Sequence, residues 1–252
     1  MKFSANLGFL WSELPLPDAI RAAKAAGFDA VECHWPYAVP PQEVADALAE
    51  TGFEMLGLNA SRGDASKGEM GFSAVPGREG EARDAIDQAL AYAEATGTGK
   101  VHVMAGFGGD HDTFVEALGY ACEGAAKLGK TVLIEPINHY DAPGYFLSTT
   151  AQAESILADV AADNLKIMFD CYHVQLMEGD LSHRLERLLP MIGHIQIAAV
   201  PDRGAPDHGE VNFSHIYSHL KALGWDVPLG AEYKPGGPTE PTLGWLKAAQ
   251  DI

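Results

Sequence analysis

TVLIEPI (residues 131–137), LKIMFD (165–170), HIQIAAV (194–200) and PLGAEY (228–233) decide the fold. Each is a short, near-continuous apolar run, as strands buried on both faces require. Each carries one polar residue at its exit: Glu135, Asp170, Gln196 and Glu232. These four are separated by 35, 26 and 36 residues, close to the roughly 30 residues of one strand-plus-helix unit. In a closed parallel barrel that spacing carries all four side chains to one rim, around one small volume. Three carboxylates and an amide converging there repel one another unless a positive charge lies between them. A divalent metal is the obvious candidate.

The same pattern extends toward the N-terminus. KFSANLG, DAVECH, FEMLGLNA and KVHVMAG come before those runs, with helix-period segments between them, so eight strands are expected. In LSHRLERLLPMIG (181–193), Leu181, Leu185, Leu188, Leu189 and Ile192 form one apolar stripe. Pro190 leaves the last turn of that helix open. Gly27, Gly52, Gly97, Gly129, Gly193 and Gly224 each stand just before a strand, where a glycine can close the preceding helix. The fifth helix has no such glycine and is expected to end near Asp163–Asn164. Thr149 with Gln152, and Thr113 with Glu116, read as capping boxes.

Eight strands and eight helices account for residues 1–252 as a single (β/α)8 TIM barrel of the α/β class, with no linker left over. The rival is a doubly wound open sheet, which usually carries a glycine-rich phosphate loop after its first strand. NLGFLW (6–11) offers neither GxGxxG nor GxxxxGK. Barrel active sites lie at the strand-exit face. The loops there include SRGDASKGEMGFSAVPG (61–77), which reads as a mobile lid or a solvated connection, and segments 138–147 and 201–212.

A formal net charge of -18 repels phosphate backbones and disfavours nucleic acid as a partner. Cys33, Cys122 and Cys171 are odd in number and form no CxxC pair, so neither a disulfide framework nor a zinc–cysteine site is indicated. The N-terminus reads as a strand rather than a signal peptide, and no apolar run is long enough to span a bilayer. A reduced, cytoplasmic setting without membrane contact is expected.

Glu135 directly follows TVLI and precedes Pro136; taken alone, it could equally be a structural acid. Glu232 in GAEYKP has the same setting, and the joint appearance of the four residues favours a site. His173, three residues after Asp170, is a metal ligand or, preferably, a hydrogen-bond donor to a substrate oxygen. His194 lies two residues before Gln196 and is placed to support it. With Gln196 instead of an imidazole, all four ligands are oxygens, which favours Mg²⁺ or Mn²⁺ over Zn²⁺, with Co²⁺ able to substitute. Arg203 and Lys234 are the cations nearest the rim; each binds a substrate carboxylate or else pairs with neighbouring acids. His34, Trp35, Tyr37, Asn6 and Trp11 are pocket walls or packing, and His102 is placed in the core. GxSxG, HExxH and DxDxDG are all absent.

The chain resembles the hydroxypyruvate isomerase family of the xylose-isomerase-like barrel superfamily over nearly its full length. The likeness rests on FSANLGFLW, VECHWPY, VHVMAGF, IEPIN with GYFL behind it, FDCYH, GHIQIA followed by PDR, GEVNF and GAEYKPGG, in family order. The resemblance implies metal ligation by Glu135, Asp170, Gln196 and Glu232 and an acid/base pair of Glu135 and Glu232. It also implies aldose–ketose-type isomerisation of hydroxypyruvate to tartronate semialdehyde through a cis-enediolate, within carbohydrate and glyoxylate metabolism. Similar families act on four-carbon 2-oxo sugar acids or epimerise sugars, and members form homo-oligomers. Two rival readings differ in class. One is a phosphodiesterase like the apurinic-site endonucleases, which a histidine-poor site and the acidic charge disfavour. The other is a non-catalytic barrel that binds a small acid.

Overall fold

Eight parallel strands form one sheet in the computed structural model, which describes residues 1–252. They are β1 Phe3–Asn6, β2 Ala30–Glu32, β3 Gly57–Asn59, β4 Lys100–His102, β5 Thr131–Ile134, β6 Leu165–Asp170, β7 Ile192–Ile197 and β8 Leu229–Ala231. Their order is β2-β1-β8-β7-β6-β5-β4-β3. The two ends of that row meet, because Leu56 N donates to Val31 O at 2.8 Å and Cys33 N donates to Gly57 O at 3.1 Å. The result is the TIM barrel expected from the eight apolar runs. Strands this apolar need both faces covered: Phe3, Leu58 and Phe169 belong to the buried hydrophobic core, and Leu133 fills the barrel interior beside His102 and Gln196.

The outer layer is α1 Leu16–Ala26, α2 Pro41–Thr51, α3 Glu79–Thr96, α4 His111–Lys127, α5 Thr150–Val160, α6 Cys171–Met177, α7 Leu181–Leu188, α8 Phe213–Ala222 and α9 Gly244–Gln250. There are nine helices rather than eight, because β6 and β7 are joined by two. Gly179 (φ 65°) and Asp180 (φ 53°) take left-handed conformations that separate α6 from α7. The stripe on α7 is realised through Leu181, Leu185 and Leu188.

The helix ends follow the glycine reading with one exception. Gly27, Gly52 and Gly97 cap α1, α2 and α3 in the left-handed conformation, and Gly129 and Gly224 take it one residue past the caps of α4 and α8. Gly193 does not close a helix; it lies inside β7. A Cβ there would stand 2.7 Å from Lys166 Cβ and 2.8 Å from Leu133 Cδ2, so glycine is needed for close packing. Lys166 Cβ is tied to its own backbone and cannot swing away. Gly193→Ala should therefore lower stability by about 1–3 kcal/mol through overpacking. Chemical denaturation would measure it, and an unchanged midpoint would remove the crowding argument.

Two further local readings are corrected. The α4 cap is Asp110, which accepts from Thr113 N at 2.9 Å, so Thr113 sits inside the first turn. Helix α5 ends at Val160 with Ala161 left-handed (φ 51°), ahead of Asp163–Asn164. Thr149 does cap α5. The long loop after β3 is anchored in its second half: Ser73 N donates to Met104 O and Ala74 N to Ala105 O, and residues 72–74 are buried. No helix is long and apolar enough to cross a membrane. The three cysteines are free and buried.

Candidate active site

Barrel closure brings the exits of β5, β6 and β8 together. Ligand atoms of Glu135, Asp170, His173 and Glu232 all lie within 4.8 Å of one another, and all four residues are buried. Asp170 is held twice by the chain: it ends β6, and its carboxylate caps α6 by accepting from Tyr172 N at 2.8 Å. That uses Oδ1 and leaves Oδ2 without a hydrogen-bond partner. Gln196 stands level with Asp170 in the β6–β7 register.

The two glutamates differ in their surroundings. Glu232 receives Arg203 Nη2 on Oε2 at 2.7 Å, and on Oε1 it meets Asn6 Nδ2 at 3.0 Å and His34 Nε2 at 2.9 Å. Glu135 Oε1 has no partner, and Oε2 lies 3.8 Å from His102 Nδ1. Burial, followed by the charges of Glu232 and Asp170, pushes the Glu135 carboxyl well above the usual carboxylate range. Burial would raise Glu232 too, but Arg203 and His34 outweigh it and hold this group below that range.

His173 has its tautomer set from behind. Asn138 Oδ1 accepts from Tyr140 N and Asp141 N, so the Asn138 amide must present its NH₂ to His173 Nδ1, at 2.6 Å. Asn138 N also donates to Nδ1, at 3.3 Å. Nδ1 is thus an acceptor, and the ring proton sits on Nε2, facing Glu135 Oε1 at 3.7 Å and Asp170 Oδ2 at 3.5 Å. Burial, with Arg203 nearby, keeps the imidazole neutral. A ring whose Nε2 carries hydrogen is a donor rather than a metal ligand.

Arg203 offsets part of the negative charge. Its guanidinium pairs with Glu232, reaches Asp170 Oδ2 at 3.6 Å and Asp141 Oδ2 at 3.4 Å, and lies 5.0 Å from the ring centroids of both Phe9 and Tyr172. Its backbone is left-handed (φ 56°), a conformation that costs about 1–3 kcal/mol and that surrounding contacts must hold. Its Nε is buried and unpartnered. Lys234 stays exposed, with its backbone N donating to Arg203 O at 2.8 Å. Trp11 is packing: its indole donates to Glu240 Oε1 at 2.8 Å.

The donor set suits a hard divalent cation. Three carboxylates against one guanidinium leave a formal charge of −2. Glu135 Oε1, Asp170 Oδ2 and Gln196 Oε1 are buried oxygens with no hydrogen-bond partner, which is costly unless something positive binds them. Reading the sequence missed two residues here. Asn138 follows IEPI and gave no signal of its own. Glu32, buried in VECH, was detectable as an acid inside a strand covered on both faces.

The xylose isomerase-like TIM barrel family model matches residues 20–249. The chain belongs to this family. It is 44% identical over 253 residues to the 2-oxo-tetronate isomerase of Cupriavidus necator, covering 98% of this chain and 97% of that one. It is 39% identical over 253 residues to the hydroxypyruvate isomerase of Escherichia coli, covering 98% of each. A crystal structure from Brucella melitensis, named AP endonuclease, family 2, superposes with a TM-score of 0.94 at 38% identity, covering 98% of each chain. Relatives spanning nearly the whole chain are named isomerases, and the protein is an enzyme of that kind.

Proposed function

We propose that this family member is a metal-dependent isomerase of small hydroxy and oxo acids, interconverting hydroxypyruvate and tartronate semialdehyde. The observation that carries the reading is the pair of unlike glutamates on one buried, oxygen-lined site: Glu135 bare, Glu232 clamped by three donors. The names of the relatives support the substrate class and include the four-carbon 2-oxo-tetronate as the longer alternative.

Glu135, Asp170, Gln196 and Glu232 would hold Mg²⁺ or Mn²⁺, which supplies Lewis-acid polarisation of the substrate carbonyl. Glu135 removes the proton from the hydroxyl-bearing carbon, and that electron pair becomes the C=C bond of a cis-enediolate. The former carbonyl oxygen takes up the displaced charge. His173 Nε2–H and the free Arg203 Nε–H donate to substrate oxygens as that charge grows. A proton then returns to the neighbouring carbon from the Glu135/Glu232 pair, while the hydroxyl proton passes to the former carbonyl oxygen, so that the one oxygen becomes the aldehyde and the other the new hydroxyl. Lys234, exposed beside Arg203, attracts the substrate carboxylate at the rim.

An endonuclease reading has the name of the Brucella structure in its favour. Against it stand a net charge of -18 and a carboxylate-rich site in which His173 presents a donor. Proton NMR of protein and hydroxypyruvate in D₂O, with Mg²⁺ and then with EDTA, tests the proposal. Conversion to tartronate semialdehyde with deuterium incorporation, arrested by EDTA, is expected. Cleavage of abasic DNA without turnover of either acid would replace this reading.

A further inference from the structure

Glu32 is buried inside the barrel, beneath the site, and the reaction above does not use it. It lies at the end of β2, yet it reaches β7, with β1 and β8 between them. Its Oε1 accepts from Asn6 Nδ2 at 3.0 Å and from Gln196 Nε2 at 2.9 Å. Its Oε2 accepts from Ser4 Oγ at 3.4 Å and meets His194 Nε2. Four donors from two strands, β1 and β7, saturate one carboxylate.

We propose that Glu32 is the positioning residue of the metal site: it selects which atom of Gln196 faces the carboxylates and steadies Asn6 against Glu232. The inference rests on the metal-site reading above.

The amide of a glutamine has two ends of similar shape, and only its partners choose between them. Glu32 Oε1 already accepts from Asn6, so it offers Gln196 an acceptor and draws the NH₂ end inward. The Gln196 oxygen is left on the other side, buried and without a partner. Asn6 is oriented by Gly8 and held in place by Glu32. Its Oδ1 is taken by Gly8 N at 2.9 Å, so its NH₂ spans Glu32 Oε1 and Glu232 Oε1, each at 3.0 Å. Gln196 on β7 is thus oriented by Glu32 directly, and Glu232, just past β8, is linked to the same carboxylate through Asn6.

Gly230 on β8 makes the crossing possible. Its φ is not in the left-handed region, so its backbone does not require glycine. The space does: a Cβ there would stand 2.5 Å from Glu32 Oε1, 2.8 Å from Glu32 Oε2 and 2.8 Å from Gln196 Cγ. The strand between Glu32 and Gln196 lacks a side chain where the two meet.

The test is Mn²⁺ affinity, measured by electron paramagnetic resonance on metal-stripped protein. Groups that orient metal ligands are typically worth about 10–100-fold in affinity. Glu32→Met keeps the length but removes every acceptor, and should weaken Mn²⁺ binding at least about tenfold. Glu32→Gln retains one oxygen for the two amides and should restore most of the loss. Added to Gln196→Met, Glu32→Met should cost less than it does alone, the remainder being the part that acts through Asn6 and Glu232. Gly230→Ala leaves Glu32 in the chain but forces it aside, and should weaken binding if Glu32→Met does not fold. Wild-type affinity in folded Glu32→Met or Gly230→Ala would overturn the positioning role alone. Absence of Mn²⁺ binding by the wild-type protein would overturn the metal-site reading and this inference with it.

Discussion

Glu135→Gln should abolish isomerisation while leaving the protein folded. Glutamine keeps the shape of the side chain but cannot accept a carbon-bound proton. A positioned general base contributes about 10²–10⁴-fold, so kcat should fall by at least about a hundredfold and deuterium exchange into substrate should fall with it. The stability effect has the opposite sign. Glu135 Oε1 has no hydrogen-bond donor to lose, and the side chain is buried among Glu232 and Asp170. In metal-stripped protein, glutamine takes an acidic group away from two others in a low-dielectric setting, so the thermal midpoint should hold or rise. Kinetics with metal present and a melt of the stripped protein check both halves. A rate within tenfold of wild type would remove Glu135 from the acid/base role. A collapsed midpoint would mean that the carboxylate is structural.

Metal removal is expected to be equally severe. With the cation stripped, three carboxyl groups crowd one guanidinium and three buried oxygens are unpaired. Turnover should fall to background and return with Mg²⁺ or Mn²⁺. Stability should follow by mass action: a cation at about 100 times its Kd adds about 2.7 kcal/mol. For a chain of this size that is a rise of about 5–10 °C in Tm, at about 2–4 °C per kcal/mol. Calorimetry of stripped and reloaded protein, with metal content measured by elemental analysis, supplies the numbers. Full activity in protein shown to be metal-free would end the metal-dependent reading and leave Arg203 as the only cation at the site.

The barrel was legible because its signals are local. An apolar run of a few residues, a left-handed glycine such as Gly52 and an acid at the end of TVLI each depend on neighbours within a turn or two. Eight apolar runs, with the glycine stop recurring between them, excluded most other architectures. Gly193 shows the limit. Its position before HIQIAAV matched a helix stop, while its actual role is to admit Lys166 and Leu133 from outside its own strand. Thr113 lost its cap position to Asp110, three residues earlier, because two capping side chains competed for one helix start.

The candidate site divides in the same way. Spacing alone placed Glu135, Asp170, Gln196 and Glu232 at strand exits, since each strand carries its last residue to the same rim. Their partners could not be read from spacing. Glu32 and Gln196 lie 164 residues apart and Asn6 and Glu232 lie 226 apart, and their contacts exist only because the sheet closes on itself. Sequence therefore determined the repeated unit, its order, and which residues reach the rim. Only the tertiary structure decided that Asn138 sets the His173 proton, that Arg203 binds Glu232 in a strained turn, and that Glu32 crosses the barrel through the gap at Gly230. Chain-local conformation fixes where a side chain starts. Ring closure and packing between strands that are distant in sequence fix what it touches.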